Sequence, residues 1–417
     1  MIGVFCVNPT NRLRFVLDFM FKDKGQEYKL ISEEEEWEKF EEVRLNYSVL
    51  NVDCEYSIEP SGLLSDSKID ENLKLTSEGD NLFLAAYPDK LGIIFYVLSR
   101  YEEYQGYKPD QHGRFTAKMS QQFELDLLQT PFLDLYVKEI WIKMNLDYNS
   151  IQEKFECVPS FDIDVAWAFK GRPIWRTLGG MVKKMGDGRL KVILNKKKDP
   201  YDTYSYIVSV SAKVNRIICF ALLSDYGKFD KNIHWKNEGY QSLLRGLNSS
   251  GGMGIHPGYE SHLKPDVQKE EIERLKEIVG HEIHKSRFHF LRFELPKSYD
   301  ILVKNGIKKD YSMGYADSSG FRAGTSFPFY FFNLETNKQE DLLIFPFVYM
   351  DSALKDNEKL STDEAKIKVK ELIDKTANVG GLFICVWHNS SVTNKGEWEN
   401  WSEVLDLTVD YSLSKKK

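Results

Sequence analysis

Two aspartates lie two residues apart in the segment SFDID, at the end of an apolar run. Because side chains at i and i+2 point to the same side of a regular strand, Asp162 and Asp164 would place two carboxylates close together. Like charges at that distance need a cation or a shared proton. Aspartate is also common at caps and surface turns, so this pair by itself leaves a structural role open.

Histidines follow other apolar runs in the same part of the chain. His256 lies in GIHPG, where glycine and proline force a turn, and His388 follows LFICVW. A divalent metal held by one aspartate and one or two histidines keeps positions open for water and substrate. Each histidine alone is equally compatible with a buried structural role. The prediction of a metal site therefore depends on their joint placement at strand ends.

These residues need a scaffold that brings strand ends together. Beyond residue 150 the sequence alternates short apolar runs with helical segments, which predicts a parallel β/α architecture. Catalytic groups in such folds gather at the carboxyl ends of the strands, because all strands point to one face. The predicted strands are KFECVPSFDID, IICFALLS, MGIHPG, RFHFLRF, LLIFPFVYM and GLFICVWHN, and the predicted helices span Val267–Val279 and Thr362–Thr376.

The first 150 residues have a different pattern and predict an accessory α+β domain. Strand-like runs such as IGVFCV and NLFLAAY occur with the acidic stretch EEEEWEKFEE, which is typical of an exposed helix, and FLDLYVKEIWIKM has helical spacing. We therefore predict two domains, residues 1–150 and 151–417. For a dense charged group in the first domain we favour an interdomain salt-bridge network over a second site; its members are Arg100, Glu102, Asp110, His112 and Arg114.

Composition argues against several classes of function. A formal net charge of -7 gives no chain-wide attraction to phosphate, so nucleic acid is not an expected partner. Five scattered cysteines indicate reduced thiols. The apolar runs are too short to span a bilayer and the N-terminus lacks the basic region of a signal peptide, so we expect no transmembrane segment and a cytoplasmic location.

Four motifs, in this order, resemble those of the NodB-homology polysaccharide deacetylases, carbohydrate esterase family 4: SFDID, GIHPGYES, RFHFLRF and CVWHN. A narrower resemblance is to a Bacteroidetes-type group of deacetylase-like proteins with an extra N-terminal domain of unknown function. It rests on SRYEEY, DQHGRF, GIHPGYES, DYSMGY and GFRAGTSFPF. The resemblance extends from about Ser99 to His388 and implies an α/β fold, a distorted (β/α) barrel of NodB type beside the N-terminal α+β domain.

The resemblance also implies a ligand set. Asp162 matches the base, Asp164 a metal ligand, and His256 the first of two histidine ligands in the family pattern. A glutamate stands where the family has its second histidine, four residues after His256. The candidates for the third ligand are His289, Glu260 and His262. We favour His289, because it lies in a predicted strand that the barrel would place beside the site.

Other matches imply supporting roles. Arg287 matches the arginine that holds the base, although an arginine at a strand end is equally compatible with packing at the surface. His388 loosely matches the histidine that protonates the leaving group. A polar, glycine-rich segment around Arg322 predicts a loop over the active face, and a structural Arg–Asp pair is left open there. The candidate substrate-binding residues are Tyr259, Asp310, Arg322 and Trp387.

The implied activity is metal-dependent removal of N- or O-acetyl groups from a sugar or polysaccharide precursor. Zinc is the expected metal, with cobalt and nickel as alternatives, and an acetylated saccharide is the expected partner. A second hypothesis is a binding module that has lost a full metal shell and only grips a glycan or a partner enzyme. A glycosidase using Asp162 and Asp164 is less favoured, because two residues so close on one strand leave little room for a sugar.

Overall fold

The fold is given by a computed structural model, which describes residues 1–79, 81–171, 189–194 and 196–415. The strands are β1 (Ile2–Phe5), β2 (Tyr28–Ile31), β3 (Val43–Asn46), β4 (Tyr56–Ser57), β5 (Leu75–Glu78), β6 (Asn81–Leu84), β7 (Glu156–Ile163), β8 (Ile218–Leu222), β9 (Met253–His256), β10 (Lys285–Ser286), β11 (Lys309–Asp310), β12 (Phe329–Asn333), β13 (Lys338–Ile344), β14 (Tyr349–Met350) and β15 (Leu382–His388).

The α-helices of the described ranges lie between groups of these strands in sequence, and the last follows β15. They are α1 (Asn11–Met20), α2 (Glu34–Glu38), α3 (Lys90–Leu98), α4 (Tyr101–Tyr104), α5 (Gln121–Glu124), α6 (Phe132–Lys143), α7 (Asn149–Gln152), α8 (Arg189–Ile193), α9 (Tyr204–Ser211), α10 (Glu238–Gly251), α11 (Pro265–Val279), α12 (Lys297–Lys304), α13 (Thr362–Val379) and α14 (Ser402–Ser414). In the described part of the chain, none of them combines the length and apolar character that a membrane-spanning helix needs.

A large, mostly parallel sheet holds the candidate residues. Within the described residues it has nine strands in the order β12-β13-β11-β10-β9-β8-β7-β15-β14. Its neighbours pair in parallel except β12 and β13. Helices connect β7 to β8, β8 to β9, β9 to β10, β10 to β11 and β14 to β15. This is the mixed α/β architecture that the sequence predicts. In these ranges β12 and β14 are edge strands, so closure into a barrel stays a prediction.

The register of this sheet aligns the polar ends of its strands. His388 of β15 pairs with Asp162 of β7, and His256 of β9 pairs with Leu222 of β8. All these strands run in parallel, so their carboxyl ends meet at the same edge of the sheet. β7 is buried along nearly its whole length, which fixes this edge against the core.

Most of the predicted elements are confirmed, but the predicted strand LLIFPFVYM divides between the end of β13 and β14, and one predicted strand is wrong. Helices α11 and α13 cover the two predicted helical segments, and Ser361 and Glu364 form a capping box at the start of α13. The segment RFHFLRF is not a strand, because pairing ends with β10 at Ser286. Two residues in it, Phe290 and Leu291, have φ of 60° and 52°, which extended backbone does not adopt.

Residues 1–150, called the N-terminal half below, contain a second parallel sheet. Its strand order in the described residues is β2-β1-β3-β4, with α1 and α2 in the connections, and β5 and β6 form a separate antiparallel pair. This alternation is α/β, whereas the sequence predicts α+β, because parallel neighbours need crossover connections. The acidic stretch forms only the short helix α2.

The two halves share a core and a buried ionic network. Phe15 and Phe95 from the N-terminal half pack against Phe332, with ring centroids 5.1 and 5.0 Å away. Glu103 accepts hydrogen bonds from Arg322 Nη2 at 2.8 Å and from Arg100 Nε at 2.8 Å. Arg322–Glu103 is thus an ion pair across the predicted boundary, whereas Arg100 pairs with Glu102 and Glu103 in its own half, and Asp110 pairs with Arg114. The boundary near residue 150 stays a prediction.

We expect Arg322→Met to destabilise the whole chain by about 3–5 kcal/mol, because the substitution removes the guanidinium that pairs with the buried carboxylate of Glu103. Urea unfolding followed by circular dichroism measures the change. Arg245→Met, at an exposed position of α10, is the matched control and should change the free energy of unfolding by no more than about 0.5 kcal/mol. A loss below about 1 kcal/mol for Arg322→Met would contradict the importance of the network.

Candidate metal centre and active site

Side chains from three strand ends converge at the carboxyl edge of the large sheet. Asp164 follows β7, His256 ends β9 and His289 follows β10, and their ligand atoms all lie within 4.8 Å of one another. Asp164 Oδ1 lies 3.3 Å from His256 Nε2, and Oδ2 lies 3.5 Å from His289 Nε2. Asp164 Oδ1 is buried without a hydrogen-bond partner among the described residues. A buried acceptor in this condition is costly unless a cation satisfies it.

Each imidazole of this cluster is oriented through its other ring nitrogen. His256 Nδ1 lies 2.6 Å from the carbonyl oxygen of Arg287, and His289 Nδ1 lies 2.8 Å from Asp230 Oδ1. These acceptors favour a proton on Nδ1, so that Nε2 is the atom each ring offers to the cluster. Two imidazoles and one carboxylate with open positions are a donor set that suits Zn²⁺. The residues present therefore fit a divalent metal.

Of the three candidates for the third ligand, the structure brings His289 to the cluster. Glu260 is exposed and lies 3.6 Å from Lys264 Nζ. His262 is buried in a short turn after β9, and neither it nor Glu260 belongs to the cluster. The position of His289 thus supports the preference for it, although it follows a strand rather than lying within one.

Asp162 lies beside the cluster and is held by Arg287. Arg287 Nη1 donates to Asp162 Oδ1 at 2.8 Å, Nη2 donates to Ser160 Oγ at 2.8 Å, and Nε donates to the carbonyl oxygen of Tyr311 at 3.0 Å. The guanidinium is fully buried, so these bonds fix its orientation. The other carboxylate oxygen, Asp162 Oδ2, lies 4.0 Å from His256 Nε2. Arg287 therefore binds one oxygen of Asp162, and the other oxygen lies beside the cluster.

His388 reaches the cluster from β15 and is held by Asp351. Its Nδ1 lies 2.9 Å from Asp351 Oδ1, its backbone N–H donates to Oδ2 at 2.8 Å, and its Nε2 lies 3.6 Å from Asp164 Oδ2. Burial alone would lower the pKa of His388, but the carboxylates of Asp351 and Asp164 raise it to about 10. The imidazolium form is therefore favoured, which makes Nε2 a proton donor at this edge.

The electrostatic field at the cluster favours positive charge. Burial alone would lower the pKa of His289, but Asp164 and Asp230 raise it to about 9. Burial would also raise the pKa of Asp164, yet the imidazoles of His289 and His256 hold it well below its usual range. Both shifts arise because several carboxylates converge on a few imidazoles. The same negative potential attracts a divalent cation.

A cavity of about 300 Å³ opens over these residues. Part of its wall is apolar, and part carries the carboxylate and imidazole groups described above. Its lining also includes His112 and Arg114, which come from the N-terminal half of the chain. Among the described residues, the lining consists of His112, Arg114, Asp162, Asp164, His256, Phe288, His289, Phe290, Leu291, Ala316, Met350, Ser352, Asn357 and His388.

Two of the predicted substrate-binding residues are buried in structural contacts. Arg322 is paired with Glu103 and donates to the carbonyl oxygen of Gly314 at 3.1 Å, so it forms an Arg–Glu rather than an Arg–Asp pair. Asp310 is fully buried and accepts from Tyr299 Oη at 3.0 Å, and burial raises its pKa to about 6. Neither side chain lines the cavity, and neither position supports contact with substrate.

The other two predicted substrate-binding residues lie behind the cavity wall. Trp387 is fully buried and donates from Nε1 to Tyr349 Oη at 3.1 Å. Tyr259 stacks on Phe229 at 4.1 Å between ring centroids, and its hydroxyl lies 3.1 Å from His112 Nδ1. Tyr259 therefore supports a residue of the lining, whereas Trp387 packs in the core.

Three features of the site were not predicted from the sequence: the positions of Asp230 and Asp351, and the lining role of His112. Asp351 follows the apolar run LLIFPFVYM directly, and the same rule that selected Asp162 and His388 could have found it. Asp230 lies in an irregular loop after β8, where no spacing points to it. The position of His112 depends on contacts between the two halves of the chain, which local pattern does not contain.

Comparisons with known proteins give a family match for the first part of the chain and distant similarities to solved structures. Residues 2–149 match a family described as being of unknown function, DUF7033. No curated protein matches the chain. Solved structures with similar folds include proteins assigned as polysaccharide deacetylases from Mycobacterium smegmatis (13% identity, TM-score 0.39, covering 61% of this chain and 84% of that one) and Pseudomonas aeruginosa PAO1 (12%, 0.41, 63% and 86%). A third is a polysaccharide deacetylase from Bacillus cereus (9%, 0.29, 62% and 88%).

The cluster predicts metal binding that depends on its histidines. At a Zn²⁺ concentration of 100 times the dissociation constant, we expect the chain to be stabilised by about 2.7 kcal/mol. His256→Ala and His289→Ala should abolish this gain, which thermal unfolding with and without Zn²⁺ measures. His281→Ala, at an exposed histidine, is the matched control and should retain it. Equal stabilisation of all four proteins would show that Zn²⁺ binds elsewhere.

Proposed function

We propose that this chain is a metal-dependent carbohydrate deacetylase that removes N- or O-acetyl groups from a saccharide or saccharide precursor. The proposed ligands are Asp164, His256 and His289, with zinc as the expected metal and cobalt or nickel as alternatives. Asp162 is the proposed base and His388 the proposed acid. The observation that carries the proposal is the convergence of these groups on one cavity, with Asp164 Oδ1 buried and lacking a hydrogen-bond partner in the described residues.

The ligand set and the carboxylate beside it suit hydrolysis of an acyl group. A divalent cation in this position supplies Lewis acidity, which polarises a carbonyl oxygen and favours loss of a proton from water. Asp162 would accept that proton on Oδ2, because Arg287 occupies Oδ1 with a bond of 2.8 Å. Arg287 is itself held by Ser160 and Tyr311, so the base keeps one orientation.

We assign the second proton transfer, to the leaving group, to His388. Asp351 holds Nδ1, and the carboxylates around the ring raise its pKa, which favours the imidazolium form. Nε2 can therefore give a proton to the amine or alkoxide that leaves when the acyl bond breaks. Because Asp162 and His388 are paired across neighbouring strands, base and acid lie beside each other at one edge of the sheet. One acetyl group could contact both.

The cavity limits how much substrate can enter. Its volume of about 300 Å³ is at the lower end of the range of roughly 300–1,000 Å³ for small-molecule sites. The apolar side chains of Phe290, Leu291 and Met350 in its lining suit the methyl group of an acetyl substituent. We therefore expect one acetylated sugar unit to be bound at a time, with any further units outside the cavity.

Asp162→Asn should reduce kcat for acetate release by about 10²–10⁴-fold, since the amide cannot accept a proton. The assay measures acetate released from N-acetylated glucosamine oligosaccharides and O-acetylated xylan by Zn²⁺-loaded protein, together with metal content. Metal content should stay at the wild-type level. Asp341→Asn, on an exposed strand residue, is the control and should keep wild-type activity. Wild-type protein that binds Zn²⁺ but releases no acetate from any acetylated saccharide would instead support the binding-module hypothesis.

Asp351→Asn tests the proposed acid through the residue that holds it. The amide offers His388 no negative charge, so we expect the imidazole to lose its proton more readily and kcat to fall by at least about tenfold. KM should change little, because Asp351 is fully buried and does not line the cavity. Steady-state kinetics on a substrate that the wild type deacetylates separates the two constants. An increase in KM at unchanged kcat would argue against this role.

A further inference from the structure

The proposed ligand His289 is followed by a strained turn. Phe290 and Leu291 both have positive φ, at 60° and 52°. Residues other than glycine in this region cost roughly 1–3 kcal/mol each, and they persist only where their surroundings hold them. Such strain tends to be found at functional sites, where it keeps a side chain in one place. The contacts that hold this turn therefore bear on the geometry of the metal centre.

Part of the restraint comes from the turn and its neighbouring strand. The backbone N–H of Leu291 donates to the carbonyl oxygen of Phe288 at 2.9 Å, and that of Arg292 donates to the carbonyl oxygen of His289 at 3.2 Å. The N–H of His289 donates to the carbonyl oxygen of Pro257 at 3.1 Å. These bonds leave the carbonyl oxygen of Phe290 for a partner from another part of the chain.

That partner comes from the N-terminal half. Arg114 Nη1 donates to the carbonyl oxygen of Phe290 at 3.0 Å, across 176 residues of sequence. The ring of His112 lies against the ring of Phe290, with centroids 5.0 Å apart. One short segment thus contacts both the backbone and the side chain of the strained residue. We call residues 110–114 the clamp loop.

The clamp loop is itself rigidly built. Asp110 Oδ1 accepts from the backbone N–H groups of His112 at 2.8 Å and Arg114 at 2.9 Å, and Oδ2 accepts from Arg114 Nε at 2.8 Å. The backbone N–H of Asp110 donates to the carbonyl oxygen of Arg114 at 3.1 Å, which closes the loop. Arg114 is therefore preorganised, and it reaches Phe290 without losing side-chain freedom on contact.

We propose that the clamp loop positions the metal ligand His289, with Arg114 as the positioning residue. By holding the carbonyl oxygen of Phe290, Arg114 fixes the turn in the conformation that presents His289 Nε2 to Asp164. The N-terminal half is then part of the metal centre without supplying a ligand. This inference rests on the proposed function only for the identity of the ligands, and it does not depend on the substrate.

Arg114→Gln in the full chain tests the proposal through metal binding alone. Removing a partner that hydrogen-bonds a ligand directly lowers metal affinity by about 10–100-fold, and Arg114, which acts through the residue next to the ligand, should contribute a factor at the lower end, about tenfold. We therefore expect Co²⁺ titration by calorimetry to give a dissociation constant that is higher by this factor. The visible absorption of bound Co²⁺ should also change, since it reports the arrangement of the ligands. Arg14→Gln, at an exposed arginine of α1, is the matched control and should bind Co²⁺ as the wild type does.

Two further variants keep the test decisive. Arg114→Lys retains a donor for Phe290 and should recover part of the affinity, which a loss of general stability would not produce. Asp110→Asn removes the charge that holds the Arg114 guanidinium and should also weaken Co²⁺ binding. This variant supplies the test if Arg114→Gln does not fold. Unchanged affinity and spectra in Arg114→Gln, or in Asp110→Asn where the former is unfolded, would overturn the inference. A wild type that binds no Co²⁺ or Zn²⁺ would overturn the proposed function and this inference together.

Discussion

Negative charge concentrated at one edge of a parallel sheet is the constraint on which the site depends. Asp162 and Asp164 leave the same strand two residues apart, and such carboxylates repel unless positive groups separate them. The fold assigns each a different partner: Arg287 binds Asp162, while His256 and His289 lie against Asp164. One carboxylate is thereby committed to an arginine, and the other remains free to bind a cation.

The groups that hold Nδ1 of each histidine determine which ring nitrogen faces Asp164. A carbonyl oxygen, Asp230 and Asp351 each take the Nδ1 atom of one imidazole, so His256, His289 and His388 all turn Nε2 toward Asp164. Without these acceptors the rings could exchange nitrogens by rotation, and the site would lose its donor geometry. The different roles proposed for these histidines rest on their location. His256 and His289 complete the cluster, whereas His388 lies at its margin.

The sequence predicts the scaffold better than the site. Apolar runs of strand length and capped helices are local features, so the strands bearing Asp162, His256 and His388 could be found without a structure. RFHFLRF was predicted as a strand because its apolar and basic residues fit one, whereas Phe290 in this segment has a positive φ and is contacted by a distant loop. The prediction that Arg322 contacts substrate is not supported, for a related reason. Its polar, glycine-rich surroundings suggested an exposed loop, yet its charge is neutralised by Glu103, far away in sequence.

Long-range contacts of this kind also bear on how the two halves relate. Buried aromatic residues from both halves form one cluster. The buried carboxylate of Glu103 would lose an ion-pair partner if Arg322 were absent. A chain cut near residue 150 would expose this apolar surface and leave charges unpaired, each of which costs stability. The same cut would remove His112 and Arg114 from the wall of the cavity. Stability and site geometry therefore depend on the same interface, so the N-terminal half is structurally part of the candidate centre rather than an appendage to it.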